Sequence, residues 1–380
     1  MRIAFLCKRR YMSKDVVSDR YARLYEIPFQ LARLGHDVLG LCLGYGHQPK
    51  ERVEHPAAPG RLEWVSRSIG RAMVPTLLTY PKEVLEELRR FSPDLVIGAS
   101  DIPHVALAAW LARRLRLPYA IDLYDNFEGF GQARIPGFVA ALRSSTRMAG
   151  LVTTTSEPLR DFVLQTYRAT GDVLTLPSTV DKSVFYPRDR FACRSALGLP
   201  ASAPLVGTAG GLYFDKGVGP LYEAWTLLAA RRPDVHLVLA GPFESSLPVP
   251  QGDRVHYLGH LGHSRVPELF SALNVGIISI LDTSFGRYCF PQKAYEMVAC
   301  GLPVAAARVG AMQSLFGAAP QLLFEAGNSE QLADAVERQL DNPMRPDIEV
   351  NSWSALIAQI EPYLRGLVHR NEDASRRRLA

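Results

Sequence analysis

Residues Phe285 to Val304 read FGRYCFPQKAYEMVACGLPV, and the order of residue types in them decides the fold. An apolar run, Val275 to Ile280, comes before, and Pro303-Val304-Ala305-Ala306 follows as a second one. Pro291 suits the first turn of a helix, where its missing N–H leaves no bond unmade, and Gly301 suits the left-handed residue that ends one. The expectation is a polar loop, a helix from Pro291 to Cys300, a turn and a strand. Lys293 and Glu296 then fall three residues apart near a helix N-terminus, beside the carboxyl end of a strand. In an open parallel sheet ligands bind at that end, and the unpaired N–H groups of a helix start favour phosphate. Glu296, one turn in, could accept two ribose hydroxyls. A surface helix with a lysine–glutamate pair accounts for the same residues equally well, so the rest of the chain has to decide.

At 380 residues the chain exceeds what one hydrophobic core serves, so two domains are expected. With 47% hydrophobic and 21% charged residues it is globular. The net charge of +5 and pI near 8.9 suit an anionic small molecule or an anionic membrane surface at least as well as nucleic acid. No basic and aromatic residues interleave as an RNA-binding face requires, so no nucleic-acid partner is expected. Cys7, Cys42, Cys193, Cys289 and Cys300 are widely spaced and sit mostly in apolar runs, the pattern of buried thiols in a reducing compartment. Met1 leads straight into the strand-like Arg2-Ile3-Ala4-Phe5-Leu6, and no apolar run reaches the roughly 18 residues of a membrane span. A cytoplasmic location is expected.

Short apolar runs alternate with helix-length amphipathic segments, the pattern of parallel α/β units. Strands are expected at Ile3–Lys8, Asp37–Leu43, Leu62–Ser66, Asp94–Ala99, Tyr119–Leu123, Leu151–Thr155 and Val173–Leu176. Helices are expected between them near Arg20–Leu34, Pro81–Phe91, Pro103–Arg116, Pro136–Ala149 and Glu157–Tyr167. From Asp181 to Ala203 the pattern lapses into Asp, Lys, Pro, Arg and small residues, as in an interdomain connection. A second series begins at Leu205–Thr208 and continues through His236–Ala240, His256–Leu258, Val275–Ser279, Val304–Ala307 and Leu322–Phe324. Its helices fall near Val218–Arg231, Val266–Leu273, Pro291–Cys300 and Glu330–Asn342. The domains expected are therefore residues 1–183 and 184–350, with 351–380 forming a last helix that crosses back to the first domain and a disordered tail from Asn371. Two doubly wound domains facing a central cleft would put a ligand site between them.

Gly207-Thr208-Ala209-Gly210-Gly211 closes the first strand of the second half, and Lys216-Gly217 stands just before the next helix. Glycine lets backbone approach a ligand closely, and a lysine beside such a loop can neutralise phosphate. The spacing is neither that of a P-loop nor that of a dinucleotide fingerprint.

With these pieces the second half resembles the donor domain of retaining glycosyltransferase family 4 (glycosyl transferases group 1), which has the GT-B architecture of two Rossmann-like doubly wound parallel-sheet domains. The similar segments are Gly211-Leu212-Tyr213-Phe214-Asp215-Lys216-Gly217, His236-Leu237-Val238-Leu239-Ala240-Gly241-Pro242 and Val255-His256-Tyr257-Leu258-Gly259-His260-Leu261, followed by Pro267 to Val275 and Pro291 to Val304. In the first half, Leu31 to Val38 is similar to the family's first helix and second strand, and Leu176 to Asp181 with Phe185-Tyr186-Pro187 to its linker entry. The resemblance implies a nucleoside-diphosphate sugar as substrate, held by the second domain, and a glycan, lipid-linked or small-molecule acceptor held by the first. It implies that Lys216 meets the diphosphate and Glu296 the ribose, both counted as catalytic, with Gly210, Gly211, His260, Leu261, Tyr288, Pro291 and Lys293 completing the donor site. It implies no cofactor and no metal, transfer with retention, and a place in cell-surface polysaccharide or glycoconjugate biosynthesis. A nucleotide-sugar epimerase, or a nucleotide-sugar-binding homologue with weakened catalysis, are the rival readings.

Three departures from the family's pattern bear on those rivals. Gly211 stands where an arginine is usual, five residues before Lys216, so cationic charge must come from Lys216, helix amides, Arg287 or Lys293. Tyr288 stands where the first of two glutamates is usual and cannot act as a carboxylate. Ala99-Ser100-Asp101 replaces a frequent histidine in the first half.

For the acceptor, the basic loop Lys8-Arg9-Arg10-Tyr11-Met12-Ser13-Lys14 offers Arg9 and Arg10, and the fourth and fifth strands of the first half end near Asp101, His104, Asp125 and Glu128. Each has an ordinary structural alternative as a mobile loop, a turn acid or a cap. Residues 136–149 set Phe138, Val139, Leu142 and Met148 among Arg134, Arg143 and Arg147, so the segment reads either as a face for an anionic membrane or as an interior face with a solvated rim.

Overall fold

The computed structural model describes residues 1–12, 14–46, 48–70 and 73–379. The chain divides into two compact units, Met1–Ser178 with Trp353–Ala380, and Thr179–Ser352. The boundary thus falls at 178/179 rather than 183/184. In the first unit eight strands form one sheet: β1 (Arg2–Lys8), β2 (Asp37–Gly44), β3 (Glu51–His55), β4 (Arg61–Ser68), β5 (Leu95–Ala99), β6 (Tyr119–Leu123), β7 (Leu151–Thr154) and β8 (Asp172–Thr175). Their order is β8-β7-β6-β5-β1-β2-β4-β3, parallel except for β3, which runs antiparallel to β4. Sequence reasoning missed β3, because Glu51-Arg52-Val53-Glu54-His55 carries charge on a half-exposed edge, where charged side chains discourage further pairing. The central strands β5 and β6 are buried along their whole length, which is why they read as continuous apolar runs.

The second unit has a six-stranded parallel sheet: β9 (Leu205–Ala209), β10 (His236–Ala240), β11 (Val255–Tyr257), β12 (Val275–Ile278), β13 (Val304–Ala307) and β14 (Leu323–Phe324). The order β11-β10-β9-β12-β13-β14 places β9 between β10 and β12. Strand order therefore reverses at the carboxyl ends of β9 and β12, and in the first unit at those of β1 and β5. Such reversals leave a crevice above the sheet, the usual ligand position in open α/β folds.

Several helix limits differ from expectation. Residues Met73–Phe91 form one helix with Pro81 inside it, rather than a helix begun by Pro81. The supposed connection from Asp181 to Ala203 contains a helix, Arg190–Ala196, capped by the Asp189 carboxylate accepting the Ala192 N–H at 2.7 Å. Its buried Cys193 belongs to the core of the second unit. The last helix runs from Trp353 to Leu379, so it continues past Asn371, where a tail without regular structure was expected. Leu356, Ile357, Ile360, Leu364 and Leu367 of that helix are in the core of the first unit, and Glu361 meets His36 at 2.9 Å. No described helix is long and apolar enough to cross a membrane.

Beneath the first sheet's surface lies an ion pair that no local pattern announces. The Arg23 guanidinium, fully buried, donates from Nε to Asp122 Oδ2 at 2.8 Å and from Nη2 to Oδ1 at 2.6 Å. Thr153 Oγ1 donates to the same carboxylate at 2.6 Å, and Arg23 Nη1 donates to the Leu176 carbonyl. The two charges satisfy one another's hydrogen-bonding capacity where water cannot.

Candidate active site

The reversal point of the second sheet gathers the residues singled out in Phe285–Val304. Beyond β9, Gly210 adopts φ +109°, and beyond β10, Gly241 adopts φ +128°. A Cβ on Gly241 would lie 1.9 Å from the Gly210 carbonyl oxygen, so two backbone turns touch where any larger residue would part them. A short 3-10 turn, Phe214–Lys216, then brings Lys216 to the start of the Val218–Arg231 helix, with Gly217 as a left-handed cap residue at φ +70°. Ser279, just past β12, donates from Oγ to the Lys216 carbonyl at 3.0 Å and pins this turn to the neighbouring strand end. The Lys216 ammonium lies 3.7 Å from the centre of the Phe285 ring, a cation–π contact.

Residues read as a polar loop instead form a short helix, Ser284–Tyr288, capped by Thr283 Oγ1 accepting the Gly286 N–H at 3.2 Å. The next helix is Lys293–Ala299. Pro291 therefore precedes the helix rather than opening it, and its carbonyl accepts the Ala294 N–H at 2.9 Å. Gly301 ends the element at φ +69°, as its position after Cys300 suggested. Lys293 Nζ donates to Thr208 Oγ1 at 3.2 Å, so this first-turn lysine reaches across to the end of β9.

Charge and burial compete here. Burial, reinforced by the nearby Lys216 charge and opposed by Glu296, lowers the Lys293 ammonium to about 8. Burial raises Glu296 to about 7, with Lys293 pulling the other way. Two cations and one carboxylate are thus held half-buried at a strand-end crevice, each ready to gain from a charged or hydroxylated ligand.

The other predicted donor residues fall at varied distances from that centre. Arg287 forms a fork with Asp282, Nε to Oδ1 at 2.5 Å, on the exposed side of its helix. His260 and Leu261 follow β11 and the left-handed Gly259, with His260 exposed. Tyr288 ends the short helix and is half-buried. At Gly211 a Cβ would lie 2.3 Å from the Tyr213 ring, which occupies the space that an arginine side chain would need to leave the backbone. Thr208, Ser279 and Phe285 were not identified from sequence as site residues. Their role comes from touching the two lysines, which neighbouring residues in sequence do not reveal.

In the first unit, the reversal point brings together Lys8, Ser100, Asp101 and Tyr124. Lys8 Nζ donates to Tyr124 Oη at 2.7 Å, and Ser100 Oγ accepts the Lys8 N–H at 2.8 Å. Burial lowers the Lys8 ammonium, with Asp101 the leading opposing charge. Asp101 caps the Ile102–Leu115 helix by accepting the His104 N–H at 3.1 Å, and also meets His104 Nδ1 at 2.5 Å and Tyr45 Oη at 2.9 Å. Burial alone would raise Asp101, yet His104 and Tyr45 hold it below the usual carboxylate range. His104 is buried, with its backbone N–H and Nδ1 both taken up by Asp101 at the start of that helix.

The expectation for Arg9 is corrected. It is fully buried, bound to Asp15 at 2.8 Å, Glu51 at 2.5 Å, Ser66 Oγ at 2.8 Å and the Pro49 carbonyl at 2.8 Å, so it holds loops together and offers nothing to an acceptor. Arg10 is exposed beside it, and Ser13 of the same loop lies outside the described residues. Asp125 is buried and accepts the Asn126 N–H at 2.8 Å. Glu128 is engaged by both arms of Arg143 at 2.8 Å, a fork that takes up the carboxylate expected to face the acceptor.

Comparison with known proteins places the fold and the family. The family description "Glycosyl transferase 4-like domain" matches residues 22–179, and "Glycosyl transferases group 1" matches residues 203–342. The 2-deoxystreptamine N-acetyl-D-glucosaminyltransferase of Streptomyces fradiae is 27% identical over 353 residues, covering 84% of this chain and 82% of that protein. The solved sucrose-phosphate synthase of Thermosynechococcus elongatus is 19% identical, with a TM-score of 0.69 over 99% of this chain and 100% of that one. Anabaena HepE in complex with UDP is 18% identical, with a TM-score of 0.65 over 99% of both chains. Two Rossmann-like units with these family matches define the GT-B class of glycosyltransferase. The chain belongs to glycosyltransferase family 4, the group 1 glycosyl transferases, and is an enzyme of that kind.

Proposed function

We propose that the enzyme transfers a sugar from a nucleoside-diphosphate sugar to an acceptor hydroxyl with retention of anomeric configuration. The observation that carries this is the meeting of Lys216, Lys293 and Glu296 at the reversal point of the second sheet, where two loops are fastened together by the Ser279–Lys216 bond. Glu296 accepts the two ribose hydroxyls. Lys216 and Lys293 face the diphosphate, so the cationic role of the absent arginine at position 211 passes to Lys293 rather than to Arg287, which is committed to Asp282. In the reaction the bond from the anomeric carbon to the diphosphate oxygen breaks and that oxygen takes the acceptor proton. The acceptor oxygen bonds to the same face of the sugar. Charge grows on the leaving diphosphate as this happens, and fixed cations in a partly desolvated crevice stabilise growing charge more than ground-state charge.

The first unit supplies the acceptor contacts in this reading, from Lys8, Asp101, Tyr124 and Asp125, with Arg10 at the rim. A polyhydroxylated acceptor, whether small molecule or growing glycan, suits those hydroxyl-binding groups. The UDP bound to the HepE fold relative and the aminosugar transfer named for the Streptomyces relative support the nucleotide-sugar class.

Thermal-shift measurements with UDP-, GDP-, ADP- and CMP-sugars test the donor assignment. At least one should stabilise the protein, and Lys216→Ala should weaken that ligand by about tenfold, the loss of one charge-assisted contact. If none stabilises the wild type at millimolar concentration, the donor site is wrongly placed. The anomer of the product, read by NMR coupling, tests retention separately.

A further inference from the structure

At the far end of the Lys293–Ala299 helix, where Cys300 caps it, a pocket of about 160 Å3 is lined by Arg188, Arg190 and Arg345, with Ser271, Cys300 and Gly301 among its other walls. Among the described residues, the side chains of Arg190 and Arg345 make no hydrogen bond or ion pair. Arg188 Nε is buried with no hydrogen-bond partner, although its Nη2 donates to the Val184 carbonyl at 3.1 Å. The neighbouring acids are Glu268, 3.8 Å from Arg188 Nη1 and shared with Arg265 at 3.1 Å, and Asp189, whose carboxylate is taken up by the Ala192 N–H at 2.7 Å.

Three arginines line one concavity, the Arg188 guanidinium also lying 5.0 Å from the centre of the Tyr186 ring, and like charges gathered at one site with a buried donor left unbonded favour an anionic occupant. Helices end here, and arginines can serve such ends by donating to the last carbonyls. Arg190 and Arg345 make no such bonds, so capping does not account for them. A small oxyanion with several acceptor atoms would satisfy all three, because planar guanidinium forks match phosphate oxygens in pairs. The volume is about ten times the roughly 10–15 Å3 that one water needs, which leaves room for a phosphate group and part of what it is attached to. Cys300 adds no opposing charge, since burial, with Glu296 second, pushes its thiol up to about 12.

We propose that this pocket is a binding site for a phosphate group, presented as inorganic phosphate or as a phosphate monoester, and distinct from the donor site. Its occupant would brace the helix that carries Glu296. A Cβ at Gly301 would meet Pro187 Cγ at 3.4 Å, so the segment bearing Arg188 and Arg190 already rests against that helix end.

Isothermal titration of the full chain, at constant ionic strength and in a Lys216→Ala/Glu296→Ala background that weakens phosphate binding at the donor site, tests the assignment. Inorganic phosphate and glycerol 3-phosphate are the probes. Binding of either, weakened at least tenfold by Arg190→Gln/Arg345→Gln, is the expected result. Tighter binding of the ester identifies a phosphorylated ligand, and equal affinity identifies the free ion. Arg345→Gln alone, an exposed position, serves as the variant if the double substitution does not fold. Phosphate binding that is absent at millimolar concentration, or unaltered by these arginine substitutions, overturns the proposal.

Discussion

Nucleotide-sugar affinity should follow a bell-shaped curve in pH, with limbs near 7 and 8, and Glu296→Gln should remove the acid limb while lowering kcat/KM by on the order of 10²–10³-fold. The diphosphate diester of a nucleotide sugar does not titrate in this range, so the curve reports the protein. Glu296 binds hydroxyl hydrogens as a carboxylate, and burial keeps it protonated to about 7, so affinity rises as pH climbs through that value. Lys293 meets the diphosphate as an ammonium, and burial beside Lys216 lets it lose its proton near 8, so affinity falls above that. A pH-independent affinity between 6 and 9, measured by titration calorimetry, would exclude both roles.

The same shifts carry a stability consequence of opposite sense. The folded value of Glu296 is raised, so its contribution is fully present below the unfolded carboxylate value and is lost as pH rises through about 7. The folded value of Lys293 is depressed, so its contribution is present above the unfolded lysine value and is lost as pH falls through about 8. Near neutral pH the empty site therefore bears both costs. Glu296→Gln should stabilise the ligand-free protein at pH 8 by about 1–2 kcal/mol while disabling donor binding, a trade expected where a site is built for a ligand rather than for the fold.

The second large effect concerns the fold. Arg23→Leu should destabilise the first unit by about 3–5 kcal/mol, because it strands the Asp122 carboxylate in a dry interior with Thr153 as its remaining side-chain donor among the described residues. Arg23→Leu/Asp122→Leu should recover most of the loss, since removing both charges removes the desolvation cost as well. Urea unfolding followed by a probe in the first unit measures this, with donor-induced stabilisation of the second unit as the control. A loss below about 1 kcal/mol for the single variant would mean that water reaches Asp122.

Much of this arrangement is legible in the sequence for a common reason. In parallel sheets covered on both faces the strands are continuously apolar, so β5, β6, β9, β10, β12 and β13 are marked by composition alone. Elements that carry little burial are not. The strand Glu51–His55 lies on an edge, and the helices Arg190–Ala196, Ser284–Tyr288 and Ala311–Leu315 are too short for a periodic signal. Lys216, Lys293 and Glu296 are legible as candidates because each stands beside a strand end or a helix start, which glycine and proline mark. Arg9 was misjudged because a basic loop looks the same whether its arginine points to solvent or is enclosed by Asp15 and Glu51.

The sequence by itself determined the alternation of strands and helices, the family, and the helix bearing Lys293 and Glu296, since all of these follow from local pattern. Only the tertiary structure decided that Lys293 reaches Thr208, that Lys216 rests on Phe285, and that Arg188, Arg190 and Arg345 share one pocket. Lys293 and Thr208, Lys216 and Phe285, and Arg345 and the other two arginines are distant along the chain, and the strength of a charge depends on burial and neighbours that come into being only when the sheets assemble.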